Sequence, residues 1–363
     1  MAGSSFVNLF RITTWGESHG KALGVVIDGC PAGLPLEAQD IQIFLDRRKP
    51  GKTAISTPRK EADEVEILSG VFEGKTTGTP ISLLIPNTSQ KSSDYSEIAS
   101  YYRPGHADYT FDKKFGFRDY RGGGRSSARE TAGRVAAGAI ASKLLKELGI
   151  TVMAYTKSIG PVHIDMSHFE KDAILSTATC MPDKTADEKA SAYLKECMMN
   201  KDSSGGVVEC VVTGMPAGIG DPVFDKLDAN LSKAIMSIGA VKAVEIGDGF
   251  AVSTAKGSEN NDAFTMHEPK VLHTPNPAGS VAGGISDRHA HFKPTPSIFQ
   301  KQETVNKSGE NVEVEIKGRH DPVVVPRAVV VVECMTALTV LDACMANMSA
   351  RLEYLTDFYH PSN

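Results

Sequence analysis

Apolar positions follow two different spacings along this chain. Alternating or continuous apolar runs predict strands at 7–14, 23–28, 65–68, 81–85, 150–159, 207–213 and 241–246. Apolar residues three or four positions apart predict helices at 36–48, 127–148, 186–199 and 326–350, and one within 221–238. The interspersed strands and helices indicate an α+β protein.

The predicted helix at 127–148 is rich in small residues. Ser127 and Glu130 have the spacing of a capping box, and Gly149 follows the last apolar position. Between them lie Ala132, Gly133, Ala136, Ala137, Gly138, Ala139 and Ala141. Because small side chains let backbones approach closely, we expect this helix to pack deep in the core.

Length and composition indicate a cytoplasmic protein of 363 residues with a net charge of −5. We find no linker and no repeat, and we therefore predict a single domain over 1–363, with peripheral excursions near 160–205 and 253–280. The six cysteines form no C-x-x-C pair, which favours free thiols in a reducing compartment. The sequence predicts no signal peptide, no membrane span and no nucleic-acid partner.

Cations concentrate in a few segments rich in glycine and proline. In the most informative one, Arg121, Arg125 and Arg129 surround three consecutive glycines, 122–124, just before a predicted helix start. Glycines allow close backbone approach, helix N–H groups favour anions, and arginine forks fit phosphate oxygens. Other cationic segments lie at 47–49, 103–106, 293–297 and 319–321. Together they predict a ligand with more than one anionic group.

Two histidines in glycine-flanked turns are candidates for proton transfer. His19 lies in the turn 16–20, and His106 follows a Pro-Gly pair. Asp321 is a candidate carboxylate base, although an aspartate next to proline equally fits a turn or a cap.

His289 and His291 could share one face of a strand and bind a metal. No carboxylate or cysteine set in the sequence completes such a site, so we predict no metal. The chain has neither a phosphate-binding G-x-x-x-x-G-K-[ST] motif nor a G-x-S-x-G motif. The residues alone therefore indicate a protein that binds a polyanion and has histidine and aspartate available for proton transfer.

These segments resemble the signatures of the chorismate synthase family, in the family's order. The matching segments are 16–20, 67–74, 103–108, 118–138, 244–250 and 319–322. The resemblance covers nearly the whole chain and is weakest over 160–205 and 253–275. It implies a single-domain β-α-β sandwich, with helices between two antiparallel sheets, and a homotetramer.

The resemblance also implies an activity. 5-Enolpyruvylshikimate 3-phosphate would lose phosphate and a ring proton to give chorismate, in the shikimate pathway to the aromatic amino acids. This 1,4-anti elimination by a carbon–oxygen lyase requires reduced FMN without net redox change. The chain lacks the extra segments of longer, bifunctional members, which implies an external flavin reductase or another reductant. The alternative is a flavin- or phosphate-binding protein such as a flavin reductase, which would not need His19 or Asp321.

By resemblance, His19 protonates the departing phosphate and His106 lies beside the flavin N1 side, where it stabilises the reduced form. Asp321 acts with Ser127 near flavin N5. The arginines assigned to substrate anions are Arg47, Arg48, Arg103, Arg129 and Arg319.

The residues assigned to FMN by resemblance come from several segments. They are Arg125, Ser126, Ser127, Gly239, Ala240, Gly283, Lys293, Pro294, Thr295, Pro296, Ser297 and Arg319. Arg48 is also the implied contact for NADP. Ala54 stands where the family often has a second arginine linked to nicotinamide binding, and Lys52 is the nearby cation. Gly239 stands where the family commonly has a polar residue.

Overall fold

The computed structural model describes residues 3–51, 61–88, 97–261, 264–267, 270–273, 285–316 and 321–360. The strands are β1 (Ser5–Phe6), β2 (Arg11–Gly16), β3 (Ala22–Asp28), β4 (Glu66–Ile67), β5 (Val71–Phe72), β6 (Lys75–Thr76), β7 (Ile81–Pro86), β8 (Thr151–Ile159), β9 (Val162–His163), β10 (Gly206–Thr213), β11 (Val241–Ile246), β12 (Phe264–His267), β13 (Lys270–His273), β14 (Ile285–Phe292), β15 (Lys301–Val305) and β16 (Asn311–Glu315). The helices are α1 (Ala38–Arg48), α2 (Asp108–Phe115), α3 (Thr131–Glu147), α4 (Ala173–Ser176), α5 (Lys184–Met199), α6 (Leu227–Met236), α7 (Val325–Asn347) and α8 (Leu352–Tyr359).

Two five-stranded sheets form the outer layers of the fold. The first has the order β1-β2-β3-β7-β4 and the second β11-β14-β10-β8-β9, and neighbouring strands in both are antiparallel. Alternate apolar residues of each sheet are buried, such as Val25 and Leu83 in the first and Val208 and Cys210 in the second. The predicted sandwich of antiparallel sheets is therefore confirmed.

Helices α3 and α7 lie between the sheets and pack against each other. A Cβ on Gly138 of α3 would lie 2.2 Å from the Cβ of Cys334 on α7, so only glycine permits this approach. A Cβ on Gly133 would lie 3.1 Å from the carbonyl oxygen of Gly24 in β3. The small residues thus bring α3 close to both the first sheet and α7, as the sequence predicts.

Helix α7 corrects the prediction that no segment is long and apolar enough to cross a membrane. Its 23 residues include an 18-residue window with a mean hydropathy of 1.9. Glu333, Thr336 and Thr339 interrupt the apolar run, which is why a search for continuous apolar residues misses it. Because 78% of that window is buried inside the fold, α7 is a core helix.

Most of the remaining differences concern short or peripheral elements. Apolar patterning predicts most strands and helices of the layers to within a few residues, but it misses β14, an interior strand of the second sheet, and also α2, α8 and the β15–β16 hairpin. The polar stretch 253–280, expected to be an irregular excursion, contains the β12–β13 hairpin in its described part. Short polar hairpins bury little apolar surface, so hydrophobic periodicity does not reveal them.

Candidate functional site

Several of the predicted site residues lie at one end of the first sheet. Antiparallel pairing sets Gly16, at the end of β2, beside the start of β3, and Ala22, at the start of β3, beside Pro86, at the end of β7. Arg129 reaches this end because its Nε donates to Asn87 Oδ1, 2.8 Å away, directly after β7. The turn with His19, the glycine–arginine corner and the end of α1 therefore meet at this sheet end.

The three-glycine corner packs against the turn that carries His19. Gly122, Gly123 and Gly124 have φ angles of +61°, +83° and +53°, a left-handed run that disfavours other residues. A Cβ on Gly122 would lie 2.3 Å from His19 Nδ1, so the absence of a side chain permits this contact. The glycines therefore bring backbone directly against a candidate proton donor.

His19 is held in place by the neighbouring Ser18 hydroxyl. The Ser18 hydroxyl donates its single hydrogen to a backbone carbonyl, that of Gly122 at 3.2 Å. Ser18 Oγ also lies 3.1 Å from His19 Nδ1. His19 is 6% exposed, so this contact is made in a buried part of the site.

The predicted capping box is only partly present. Ser127 caps the short 3-10 turn Ala128–Glu130, and its Oγ accepts from the N–H of Arg129 at 3.3 Å. Glu130 instead pairs with Arg134 at 2.9 Å, and α3 begins at Thr131. The corner thus leads into a 3-10 turn rather than directly into an α-helix.

Arg48 and Arg129, both predicted to bind substrate, meet at one buried carboxylate. Arg48 donates to one oxygen of Asp63 through Nε, at 3.1 Å, and through Nη2, and Arg129 donates to the other oxygen. Burial would raise the pKa of Asp63, but the two guanidiniums outweigh it and lower the pKa to about 2. We call Arg48, Asp63 and Arg129 the arginine cluster.

Arg103 lies in the loop before α2 and is held by the carboxylate of Asp108, the first residue of that helix. Its Nε and Nη2 each lie 2.8 Å from an oxygen of Asp108, a bidentate pair. Burial would raise the pKa of Asp108, but hydrogen bonds from Arg103 lower it. A Cβ on Gly123 would lie 3.4 Å from Arg103 Nη2, so this loop contacts the glycine corner.

His106 connects the same loop to the segment after β14. Its Nδ1 lies 2.9 Å from the Pro104 carbonyl, which can only accept, so Nδ1 carries a hydrogen. Its Nε2 lies 3.1 Å from Ser297 Oγ. A Cβ on Gly105 would lie 2.5 Å from the Cβ of Pro296. The structure therefore brings together two segments that the family resemblance assigns to the flavin.

The segment 293–297 also contacts the loop before β11. The Lys293 N–H donates to the Ala240 carbonyl at 3.0 Å, and Lys293 Nζ lies 3.3 Å from the Gly105 carbonyl. Ala240 has a φ of +73°, a strained conformation for a residue with a side chain. A Cβ on Gly239 would meet no atom within 4 Å, so there is open space beside this residue.

Two arginines that are predicted to bind ligands, Arg47 and Arg125, donate to groups within the fold. Arg47 forms a bidentate pair with Glu333 of α7, with distances of 2.6 and 2.9 Å. Arg125 donates to Thr14 Oγ1 at 2.8 Å and to the Gly16 carbonyl at 3.2 Å, both in β2. These contacts fix the end of α1 and the glycine corner to the core.

Asp321 forms an ion pair with Arg327, whose Nε donates to the Arg48 carbonyl at 3.2 Å. The pair therefore lies next to the arginine cluster. Both residues also line a cavity of about 440 Å³ between α4, the start of α7 and the end of α1. Two predicted site residues, Gly283 and Arg319, lie outside the described residues.

His289 and His291 lie on the outer face of the second sheet, beside carboxylates from other strands. His289 Nε2 is 3.3 Å from Glu209 and His291 Nε2 is 2.8 Å from Glu245, while Lys157 Nζ is 2.8 Å from Glu209. We call these five residues the sheet cluster. Within the part of the chain that the structure describes, no group of three or more His, Cys, Asp or Glu side chains is arranged to hold a metal.

Comparison with known proteins identifies the family. The chorismate synthase family model matches residues 10–345, nearly the whole chain. This chain belongs to the chorismate synthase family. A chorismate synthase from Agathobacter rectalis is 63% identical over 99% of each chain, and one from Methanosarcina mazei is 52% identical over 94% of this chain and 96% of the relative. A solved structure described as the crystal structure of chorismate synthase has a TM-score of 0.76, is 30% identical and covers 97% of each chain.

Family resemblance at the level of motifs did not identify every residue in this candidate site. Asp63, Asp108 and Asn87 hold the predicted arginines, and Arg327 holds Asp321. Of these, only Asp108 lies inside a motif quoted from the sequence. The other three residues are acidic, amide or basic side chains in unremarkable positions, and no spacing rule points to them.

Proposed function

We propose that the protein converts 5-enolpyruvylshikimate 3-phosphate to chorismate by 1,4-anti elimination of phosphate, as a carbon–oxygen lyase that requires reduced FMN. The observation that best supports this is the meeting of His19, the glycine corner and the arginine cluster at one sheet end. The site combines a proton donor with guanidiniums that suit a substrate with one phosphate and two carboxylates.

The described contacts support an FMN site. His106, Ala240 and the segment 293–297 form one connected surface of hydroxyl, backbone and imidazole groups, with Ser126 and Ser127 across the glycine corner. Gly239 leaves space beside it. Arg125 would contact FMN through its backbone. Gly283 and Arg319 are also proposed to contact FMN. When bound there, reduced FMN would supply an electron-rich ring and a proton acceptor beside the substrate.

The candidate site residues have separate chemical tasks in this proposal. His19 donates a proton to the departing phosphate, on which negative charge develops in the transition state. Arg48, Arg103 and Arg129 orient the substrate anions, and Arg47 supports the end of α1. Asp321, with Ser127, receives or passes on the ring proton near the flavin.

Family membership supports the remaining parts of the proposal. We propose a cytoplasmic homotetramer that receives reduced flavin from an external reductase or another reductant. Any contact with NADP would use Arg48.

An anaerobic assay with chemically reduced FMN tests the function directly. We expect chorismate to form, and we expect His19→Ala and His106→Ala each to lower kcat by roughly ten- to a thousandfold, the range of general acid–base catalysis. His163→Ala, an exposed histidine in β9, is the matched control and should leave kcat unchanged.

Two results would contradict the proposal. Absence of chorismate with the wild-type protein would exclude the lyase, and NADPH oxidation with FMN alone would support a flavin reductase instead. Wild-type rates in both histidine variants would refute the assigned roles.

A further inference from the structure

Asp63 is an acidic residue that both Arg48 and Arg129 contact, and the reaction described above gives it no task. We propose that Asp63 is a positioning residue that holds Arg48 and Arg129 side by side as a two-armed site for one anionic group of the substrate. The inference rests on the proposed function, because it concerns how that substrate is bound.

The first support is that the backbone around Asp63 is fixed. Gln42 of α1 donates through Nε2 to the Asp63 carbonyl at 3.3 Å, and its Oε1 accepts from the Val65 N–H at 3.1 Å. On the other side, Glu61 accepts from the N–H and the hydroxyl of Thr88, at 3.3 and 3.2 Å. Asp63 therefore belongs to a segment that is attached to both α1 and the end of β7.

The second support is burial combined with charge. Arg48 and Asp63 are each 1% exposed and Arg129 is 5% exposed, so water does little to screen the repulsion between the two guanidiniums. A carboxylate shared between them offsets that repulsion and sets their separation. Since the pKa of Asp63 is about 2, it remains ionised at any pH at which the enzyme would work.

The third support is the backbone conformation. Asp63 has a φ of +51°, in the left-handed region that aspartate adopts only uncommonly. Such a conformation persists where surrounding contacts over-determine it, and here it directs both carboxylate oxygens at the two arginines.

Asp63 could act as a fixed counter-ion of the two arginines or as a competitor that the substrate displaces. These two roles predict opposite effects on substrate binding when Asp63 is removed. If Asp63 only occupied the substrate's place, its removal would free the arginines and tighten binding. Because its backbone is attached on both sides and its side chain is buried, we expect its removal to let the arginines separate and to weaken binding.

The first experiment uses Asp63→Asn in the full-length protein with reduced FMN. We expect KM for 5-enolpyruvylshikimate 3-phosphate to rise about ten- to a hundredfold while kcat changes by less than about threefold, the pattern of lost uniform binding. Calorimetric titration of the same substrate should show the same loss of affinity without relying on turnover.

A second variant separates positioning from general stability. Asp63→Gly suits the left-handed backbone and leaves space for a small carboxylate. We expect added formate, compared with chloride at equal ionic strength, to lower the raised KM of Asp63→Gly at least about threefold and to leave wild-type KM unimproved.

Asp342→Asn is the matched structural control. Asp342 is also buried, but it accepts from the backbone N–H groups of residues 8–10, near the other end of α7. We expect this variant to lower Tm without raising KM.

The outcomes are distinguishable. An unchanged or lowered KM in Asp63→Asn, or the absence of formate rescue, would overturn the positioning role while leaving the lyase intact. A wild-type protein that fails to bind the substrate would overturn the proposed function, and the inference with it.

Discussion

The arginine cluster and the sheet cluster use similar ion pairs in different surroundings. In each, burial would raise the pKa of a central carboxylate, Asp63 or Glu209, yet neighbouring cations lower it to about 2. The partners of Asp63 are two guanidiniums that are nearly completely buried. The partners of Glu209 are His289 and Lys157, and 36% of the Lys157 side chain is exposed.

This difference indicates what each cluster can do. Guanidiniums stay charged throughout the usable pH range and donate in a fixed planar fork, whereas imidazoles change charge near neutrality and ammonium groups rotate freely. A permanent and rigid cationic site suits recognition of a substrate anion. The sheet cluster instead ties β8, β10, β11 and β14 together on the face opposite the helices.

The largest expected loss of stability comes from removing a cation of the arginine cluster, and the equivalent change in the sheet cluster is its comparison. Arg129→Met should lower the free energy of unfolding by about 3–5 kcal/mol, because it breaks a buried pair and leaves Asp63 with a single partner. Lys157→Met should cost only about 1 kcal/mol, because solvent reaches the ammonium. Urea unfolding of the two variants measures both values. Equal losses would show that burial does not distinguish the clusters.

Acid should act on both clusters with the same sign. The folded-state pKa of Asp63 and of Glu209 is about 2, below the ordinary values of 3.8 and 4.5, so each contributes stability above its ordinary pKa. That contribution disappears as pH falls from about 5 towards 2, and it amounts to about 2–3 kcal/mol for each group.

Urea unfolding at several pH values checks this expectation. Asp63→Asn and Glu209→Gln should each flatten the loss of stability between about pH 5 and pH 3. A variant that keeps the wild-type pH dependence would show that its carboxylate is not coupled to folding.

The smallest effect is expected at the rim of the sheet cluster. Glu245 pairs with His291, whose side chain is 38% exposed, and Glu245→Gln should change the free energy of unfolding by less than about 1 kcal/mol. Added salt should reduce even this difference. A loss as large as that of Arg129→Met would mean that the two clusters are energetically alike.

The layered fold could be predicted from the sequence because its strongest signals are periodic. Most strands and helices of the layers carry regular apolar spacing, although β14 does not, and Gly133 and Gly138 predicted the close helix packing. The β12–β13 and β15–β16 hairpins could not be predicted, because polar residues on a short hairpin resemble those of a loop.

The candidate site was predictable where its residues lie in glycine-flanked motifs. His19, His106 and the glycine corner are conspicuous because their turns need particular residues. Asp63 could not be found, since its importance comes from arginines 15 and 66 residues away in the chain. Arg327 was missed because no motif or spacing rule links it to Asp321, six residues before it. The carboxylates beside His289 and His291 were missed for the same reason, because they lie on other strands.

The closest approach of α3 and α7 has a chemical consequence of its own. Burial raises the pKa of the Cys334 thiol well above its ordinary value, and its Sγ faces the Val135 carbonyl at 3.6 Å. A thiol in this state meets an alkylating reagent only when the two helices separate. The protein thus carries an internal reporter whose labelling rate rises with the fraction of time that its middle layer is open.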